Sequence, residues 1–224
     1  DLLDIIPPTL NQAYDMRAVL ASVADEQTLF ELQPDFGASI ITAVARIGGV
    51  PCMLLANQPS VQAGAITRDA ADKASHFIEV ANAFGLPLVS MIDNPGVMPG
   101  AAAEQSAVLK AAAGMFASQR RYRGKKIVVT LRKAFGFGSS VMGMNPWDRQ
   151  CVSIALPSVN LGGVPAIGGA TAAQASAQET AQLEQLQSGA WVPADAMAFD
   201  QVIDPRDLRN AVIDALGIGG DCPP

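Results

Sequence analysis

Arg132-Lys133-Ala134-Phe135-Gly136-Phe137-Gly138-Ser139-Ser140 follows directly on the apolar run Ile127 to Leu131. A short β-branched run bounded by charge reads as a strand covered on both faces. The glycine-spaced turn after it leads into an apolar helical segment, and a helix that opens there leaves backbone N–H groups without intrahelical partners. Such donors can hold a negative oxygen. The chemistry this spacing favours is anion stabilisation by the main chain, because the usual catalytic side chains are nearly absent.

Side-chain catalysis finds little support. The single histidine, His76, lies within a helical pattern and reads as structural or solvent-facing, yet a Ser-His-Asp triad would have to use it. Ser139 and Ser140 follow a Gly-x-Gly but do not meet the nucleophile-elbow pattern. Val141 stands where a dinucleotide fingerprint needs its third glycine, and no Walker A sequence occurs. Asp93 and Glu104 flank a Pro-Gly loop, where Asp93 reads as a turn former rather than a general acid. Cys52, Cys151 and Cys222 lie far apart with no CxxC spacing, so neither a disulfide scaffold nor a metal site is expected, and the default compartment is reducing and cytoplasmic. Cys151 reads as a small core residue. There remain the turns at Gly64, Pro95-Gly96 and Gly136-Phe137-Gly138. Each follows a strand-like run, and together they would form a crevice lined with N–H donors where such sheets bind ligands.

The elements that must position these turns alternate along the chain. Asp15 to Ala24 has helical spacing, with Asp15 as its cap. Thr28 to Pro34 reads as an edge strand. Ile40 to Ile47 and Val50 to Ala56 read as strands joined through Gly48-Gly49, which is hairpin chemistry. A helix is predicted from Thr67 to Phe84, stopped by Gly85, then a strand from Pro87 to Ile92, then a helix over Ala101 to Ser118. After the strand at Ile127 come short strands at Val152 to Leu156 and Val159 to Leu161. A polar-faced helix over Thr171 to Gln187 could project from the body, and a last helix runs from Asp204-Pro205 to Leu216. The order strand, helix, strand, helix, strand, helix predicts an α/β fold with a covered, mostly parallel sheet.

Composition bounds the rest. The 224 residues suit one large α/β domain or two small ones. Half are apolar and only 16% charged, enough for a sizeable core and for surface hidden against a partner. A net charge of −6 argues against nucleic acid and anionic membranes as partners. No apolar run approaches the ~20 residues of a membrane span. The chain begins at Asp1 without a methionine and reads as part of something longer.

Taken in order, several pieces resemble one family. They are Ala56-Asn57-Gln58-Pro59, Gly64, Lys73 and Phe77-Ile78, Pro87-Leu88, Asp93-x-Pro95-Gly96, Pro99-Gly100, Glu104, Arg132 to Gly136, Val141-Met142, Pro157, and Val202 to Pro205 with Arg209. This order is similar to the C-terminal domain of the carboxyltransferase (β) subunit of biotin-dependent acyl-CoA carboxylases, of the propionyl- or acetyl-CoA type. The resemblance implies a single crotonase-like ββα superhelix over residues 36–216, a lead-in and helix over 1–35, and a loose tail over 217–224. It also implies carboxyl transfer from carboxybiotin to the α-carbon of an acyl-CoA, in fatty acid metabolism. The N-H groups of Phe137 and Gly138 would hold the ureido oxygen, with Gly136, Ser139, Ser140, Pro95 and Gly96 around biotin. Expected partners are a biotin carboxylase and biotin carrier subunit, an N-terminal carboxyltransferase domain that holds acyl-CoA, and further copies in a homo- or hetero-oligomer.

Departures from the family pattern fall at Phe137 (usually a second glycine), Ser140 (often Asp), Leu156 (Trp) and Asn160 (acidic). Leu161-Gly162-Gly163 replaces a Met-Gly pattern, and these changes bear on acyl preference and activity. Two other classes fit the same residues: a non-catalytic subunit supporting an active paralogue, and a crotonase-type hydrolase or decarboxylase that works without biotin.

Overall fold

The computed structural model describes residues 2–144 and 152–217. Helices α1 (Leu2–Ile5) and α2 (Met16–Val23) precede the edge strand β1 (Phe30–Leu32). The predicted cap on α2 is present, since Asp15 accepts a hydrogen bond from the Arg17 N–H. Strands β2 (Ile40–Ile47) and β3 (Val50–Asn57) then pair antiparallel across Gly48-Gly49, from Ile47 opposite Val50 to Ile40 opposite Asn57.

Helix α3 (Arg68–Phe84) starts at Thr67, whose hydroxyl accepts from the Ala70 N–H, and stops at Gly85 in the left-handed region. Beyond it lie β4 (Leu88–Asn94), α4 (Ala101–Gln105), α5 (Val108–Arg121), β5 (Lys126–Phe135) and α6 (Gly136–Val141). The rest comprises β6 (Val152–Ala155), β7 (Asn160–Gly162), α7 (Ala166–Ala173), α8 (Ala177–Gln187), α9 (Trp191–Asp195), β8 (Gln201–Val202) and α10 (Leu208–Gly217).

The strands form one sheet in the order β1-β2-β3-β4-β5-β6-β8, with β7 on the far end of β5. All pairings from β3 onward are parallel. Both faces are covered, which is why β4 and β5 read as nearly unbroken apolar runs. On one face Ile41, Leu54, Val89, Ile127 and Val129 pack with α2 and α10. On the other, Met53, Leu55, Leu88 and Val128 pack with α3 and α5.

Several boundaries differ from the sequence reading. The predicted helix over Ala101 to Ser118 is two helices, broken at Ala107, which has a φ of 60°. Likewise the helix over Thr171 to Gln187 is split by Gln174 (φ 54°), and Ser176 and Glu179 then form a capping box for α8. The strand at Ile127 continues to Phe135 rather than ending at Leu131. A 3₁₀ turn at Pro205–Asp207 precedes α10, and α9 was not foreseen. The lead-in packs against the sheet, because Leu2, Met16, Val19 and Leu20 share a core with α10. Cys151 and residues 218–224 lie outside the described residues. Among the described residues no helix is long and apolar enough to cross a membrane.

Candidate active site

Three successive parallel strands, β3, β4 and β5, end side by side, and their following turns meet. At the end of β4, Asp93 is fully buried. Its carboxylate accepts three hydrogen bonds, and one longer ionic contact, from residues far along the chain. Oδ2 accepts from Arg132 Nε at 2.8 Å and from the Tyr14 hydroxyl at 2.8 Å. Oδ1 accepts from the Lys133 main-chain N–H at 3.2 Å and lies 3.6 Å from Lys133 Nζ. The sequence reading of Asp93 as a turn former is therefore corrected: it is the acceptor at the centre of a buried ionic cluster.

The cluster shapes the backbone. Along the β4–β5 ladder Ile92 faces Thr130 but Asn94 faces Ala134, so β5 carries extra residues between these pairs. That bulge is where Arg132 and Lys133 turn onto Asp93, and beyond it β5 pairs with β7, from Lys133 opposite Asn160 to Phe135 opposite Gly162. Arg132 is 0% exposed. Its Nη1 donates to the carbonyls of Pro7 (3.1 Å), Thr9 (2.8 Å) and Gln12 (3.1 Å), and the guanidinium lies 4.7 Å from the centre of the Tyr14 ring. Burial, then the Asp93 charge, raise the Tyr14 hydroxyl well above its ordinary pKa, so it stays a donor. Burial lowers the pKa of Lys133, the nearby Asp93 charge opposing that shift.

Immediately after β5, Gly136, Phe137 and Gly138 form the first turn of α6. Their N–H groups have no acceptor one turn back in the helix. Two glycines are required here by space. Gly136 has a φ of +55°, and a Cβ on it would lie 2.6 Å from the Gly163 carbonyl oxygen. A Cβ on Gly138 would lie 2.3 Å from Asn94 Oδ1 and 2.6 Å from Gly96 Cα. Phe137, by contrast, is 40% exposed, and its ring rests against Phe116 of α5 at a centroid distance of 5.9 Å. Its side chain thus occupies the α5 side, and an added side chain at this position leaves the turn intact.

The neighbouring turns behave differently from the expectation of a donor-lined crevice. The Gly96 N–H is committed to Asn94 Oδ1 (2.9 Å), and the Gly64 N–H to the Val61 carbonyl (2.9 Å). Tight turns close on themselves in this way, so these two positions shape the site without offering an amide, and α6 remains as the source of donors. Ser139 is buried with its hydroxyl donated to the Gly136 carbonyl at 2.8 Å, which spends its proton on the turn. Ser140 is half-buried on the same helix. His76 is exposed on α3, and Glu104 is exposed on α4.

A cleft of about 460 Å³ opens over the ends of these strands. Its floor includes Pro95, Lys133 and Phe135, and one wall is the lead-in from Leu10 to Ala13. Pro59 and Ala63 come from the β3–α3 loop, and α7 and α8 close the far side with Ile167 and Glu184. Of the residues singled out by sequence, Pro95 lines this cleft, as does Asn160; Phe137, Gly138, Ser139 and Ser140 do not line it, though their helix begins one residue after Phe135. Arg132, Lys133 and Tyr14 were missed as a group with Asp93. The available signal was charge at the C-terminal ends of two otherwise apolar strands.

A parallel sheet covered on both faces, with a helix N-terminus and a cleft at its strand ends, defines the class of α/β proteins that bind ligands over the carboxyl ends of their strands. The carboxyl transferase domain model matches residues 1–218, and the chain belongs to that family. It is 32% identical to the propionyl-CoA carboxylase beta chain of Cereibacter sphaeroides, covering 96% of this chain and 44% of the relative. It is also 32% identical to the methylmalonyl-CoA decarboxylase subunit alpha of Veillonella parvula, covering 97% and 43%. The crystal structure of the transcarboxylase 12S hexamer core with hydrolysed methylmalonyl-coenzyme A superposes with a TM-score of 0.91 at 31% identity, covering 97% of this chain and 42% of that one. The fold is accordingly the crotonase-like one. The chain spans less than half the length of these relatives.

Proposed function

We propose that this domain supplies the biotin side of a carboxyltransferase that moves a carboxyl group between biotin and the α-carbon of an acyl-CoA. The observation that carries the reading is the opening of α6 at the end of β5, beside the cleft, with the Phe137 and Gly138 amides lacking helical acceptors while those of Gly64 and Gly96 are already bonded. The cleft fits a biotin ring: its walls are largely apolar, as a bicyclic body requires, and α6, which begins one residue after the cleft-lining Phe135, brings amide donors beside it for the one strongly accepting oxygen. When bound, biotin supplies the carboxyl carrier and, through its ureido group, both the oxygen that takes up charge and a nitrogen able to accept a proton.

The chain's own part is electrostatic. Phe137 and Gly138 hold their N–H groups toward an anionic oxygen, and the fixed geometry of α6 on Gly96 means little reorganisation accompanies the charge as it develops. Asp93 and Arg132 pin the β5 bulge from which α6 springs. Pro95 and Phe135 exclude water from the ring. No side-chain base is required, consistent with exposed His76 and with the bonded Ser139. A carrier domain that delivers biotin, a second domain that binds acyl-CoA, and assembly into an oligomer complete the reading.

The test is a pair of substitutions in the intact protein. Phe137→Pro deletes one amide donor at an exposed first-turn position, and Phe137→Ala removes the ring and keeps the donor. The proline variant should lose about 10²–10³ in kcat, the size expected for one oxyanion donor, while the alanine variant stays close to wild type. Near-normal carboxyl transfer by a folded Phe137→Pro protein overturns the assignment. Similarity to a decarboxylase subunit at the same identity favours one second reading, in which the same amides serve net loss of CO2. An assay for CO2 release without an acyl-CoA acceptor separates the two directions.

A further inference from the structure

We propose that Lys133 binds a carboxylate: its ammonium, at the floor of the cleft, is the counter-charge for the carboxyl group that the domain transfers. This deepens the reading of the cleft as a ureido site and rests on it.

The argument is one of unmatched charge. Lys133 contributes to the cleft floor, yet its side chain is only 10% exposed. An ammonium has three donors and no acceptor. One donor reaches the Ala63 carbonyl at 3.2 Å. Asp93 is 3.6 Å from Nζ, beyond good hydrogen-bond length, and both of its oxygens already accept from Tyr14, Arg132 Nε and the Lys133 main chain. Two cations, Arg132 and Lys133, therefore share one carboxylate, and the cluster carries an excess positive charge. The other charged residue lining the cleft, Glu184, is exposed on α8 at the opposite side.

Burial without full pairing is expensive for an ammonium, and the lowered pKa of Lys133 reflects that. The side chain is nonetheless held in place. Ala63 adopts a left-handed conformation (φ 55°) and presents its carbonyl to Nζ, while Asp93 fixes the Lys133 main chain. A positioned, under-paired cation facing an apolar cleft selects a small monoanion on an otherwise apolar body. A carboxylate fits that description, since it brings a single charge and two acceptor oxygens.

The probes are 2-oxoimidazolidine-1-acetate, which joins a cyclic urea to a carboxylate, and its neutral acetamide. Their affinities are measured calorimetrically on the intact protein. Lys133→Met should weaken the anionic probe by about tenfold to a hundredfold, the range for one charge-assisted hydrogen bond, and leave the acetamide unchanged. Lys133→Arg should retain the discrimination in favour of the anion. Should the methionine variant not fold, Lys133→Gln is read in the same way, with acetamide binding as its check on the cleft. Equal binding of the anion to wild type and variant, equal losses for both probes, or no anion binding to wild type would each overturn the proposal. The Phe137→Pro result judges the amide reading separately, so failure of one is distinguishable from failure of the other.

Discussion

A methyl group added at Gly138 has nowhere to go, because Asn94 Oδ1 and the Gly96 backbone occupy its position. Gly138→Ala must push α6 away from the β4 turn or distort Asn94. Overpacking of this kind costs about 1–3 kcal/mol, so a denaturant midpoint should fall for Gly138→Ala and hold for Phe137→Ala. Activity should fall with it, since the displaced element carries the amides. The contrast between adjacent residues is informative: at Phe137, where the family resemblance expects a glycine, the ring leans on Phe116, outside the cleft. One position constrains a side chain's existence and the next constrains only its direction.

At the scale of elements, α3 carries a testable burden. Lys73 is fully buried on its inner stripe, with Nζ donating to the Gln33 carbonyl at 3.3 Å. Burial, the largest cause, lowers its pKa from 10.5 to about 8, opposed by Glu31. Between those two values the unfolded chain binds the proton and the native chain does not, so stability rises with pH. Relative to Lys73→Met, wild type should therefore gain melting temperature from pH 7.5 to 9.5, and an unchanged difference would refute a buried, depressed ammonium. The helix itself was legible from Thr67, the apolar spacing and Gly85, and so were the Gly48-Gly49 hairpin and the apolar strands β4 and β5. Breaks inside alanine-rich stretches were not. Ala107 takes a left-handed conformation that its residue type disfavours, so nothing in the local residue types announces the break. The amide-bearing turn was visible in Gly136 and Gly138, whereas the commitment of the Gly96 amide depended on Asn94, and the cluster at Asp93 joins residues from Tyr14 to Lys133. Pairings over such separations leave no periodic trace in a sequence.

Over the whole molecule, the Asp93–Arg132 pair joins the start of the chain to its middle. Arg132 holds the carbonyls of Pro7, Thr9 and Gln12, and the segment it holds, Leu10 to Ala13, is a wall of the cleft. Its Nη2 is buried without a partner among the described residues, so the pair is not optimised for stability alone. Removing one member of a buried pair strands a charge, at about 3–5 kcal/mol, whereas replacing both with apolar groups is milder; here the double replacement still takes the acceptor from Lys133 and the Tyr14 hydroxyl. Asp93→Asn and Arg132→Met should each lower unfolding free energy by that order, and Asp93→Leu combined with Arg132→Met by less than the two single losses together. Arg132→Met, alone or in the pair, should also release residues 7–13, read as faster amide exchange at residues 9–13 than in α3 or β5. If the double variant regains stability while those amides stay fast and ligand affinity in the cleft stays low, the ion pair's role is to fix the cleft wall rather than to hold the fold. If exchange at residues 9–13 is unchanged, packing of Leu2 and α2 against the sheet suffices to anchor the lead-in, and Arg132 positions only the β5 bulge.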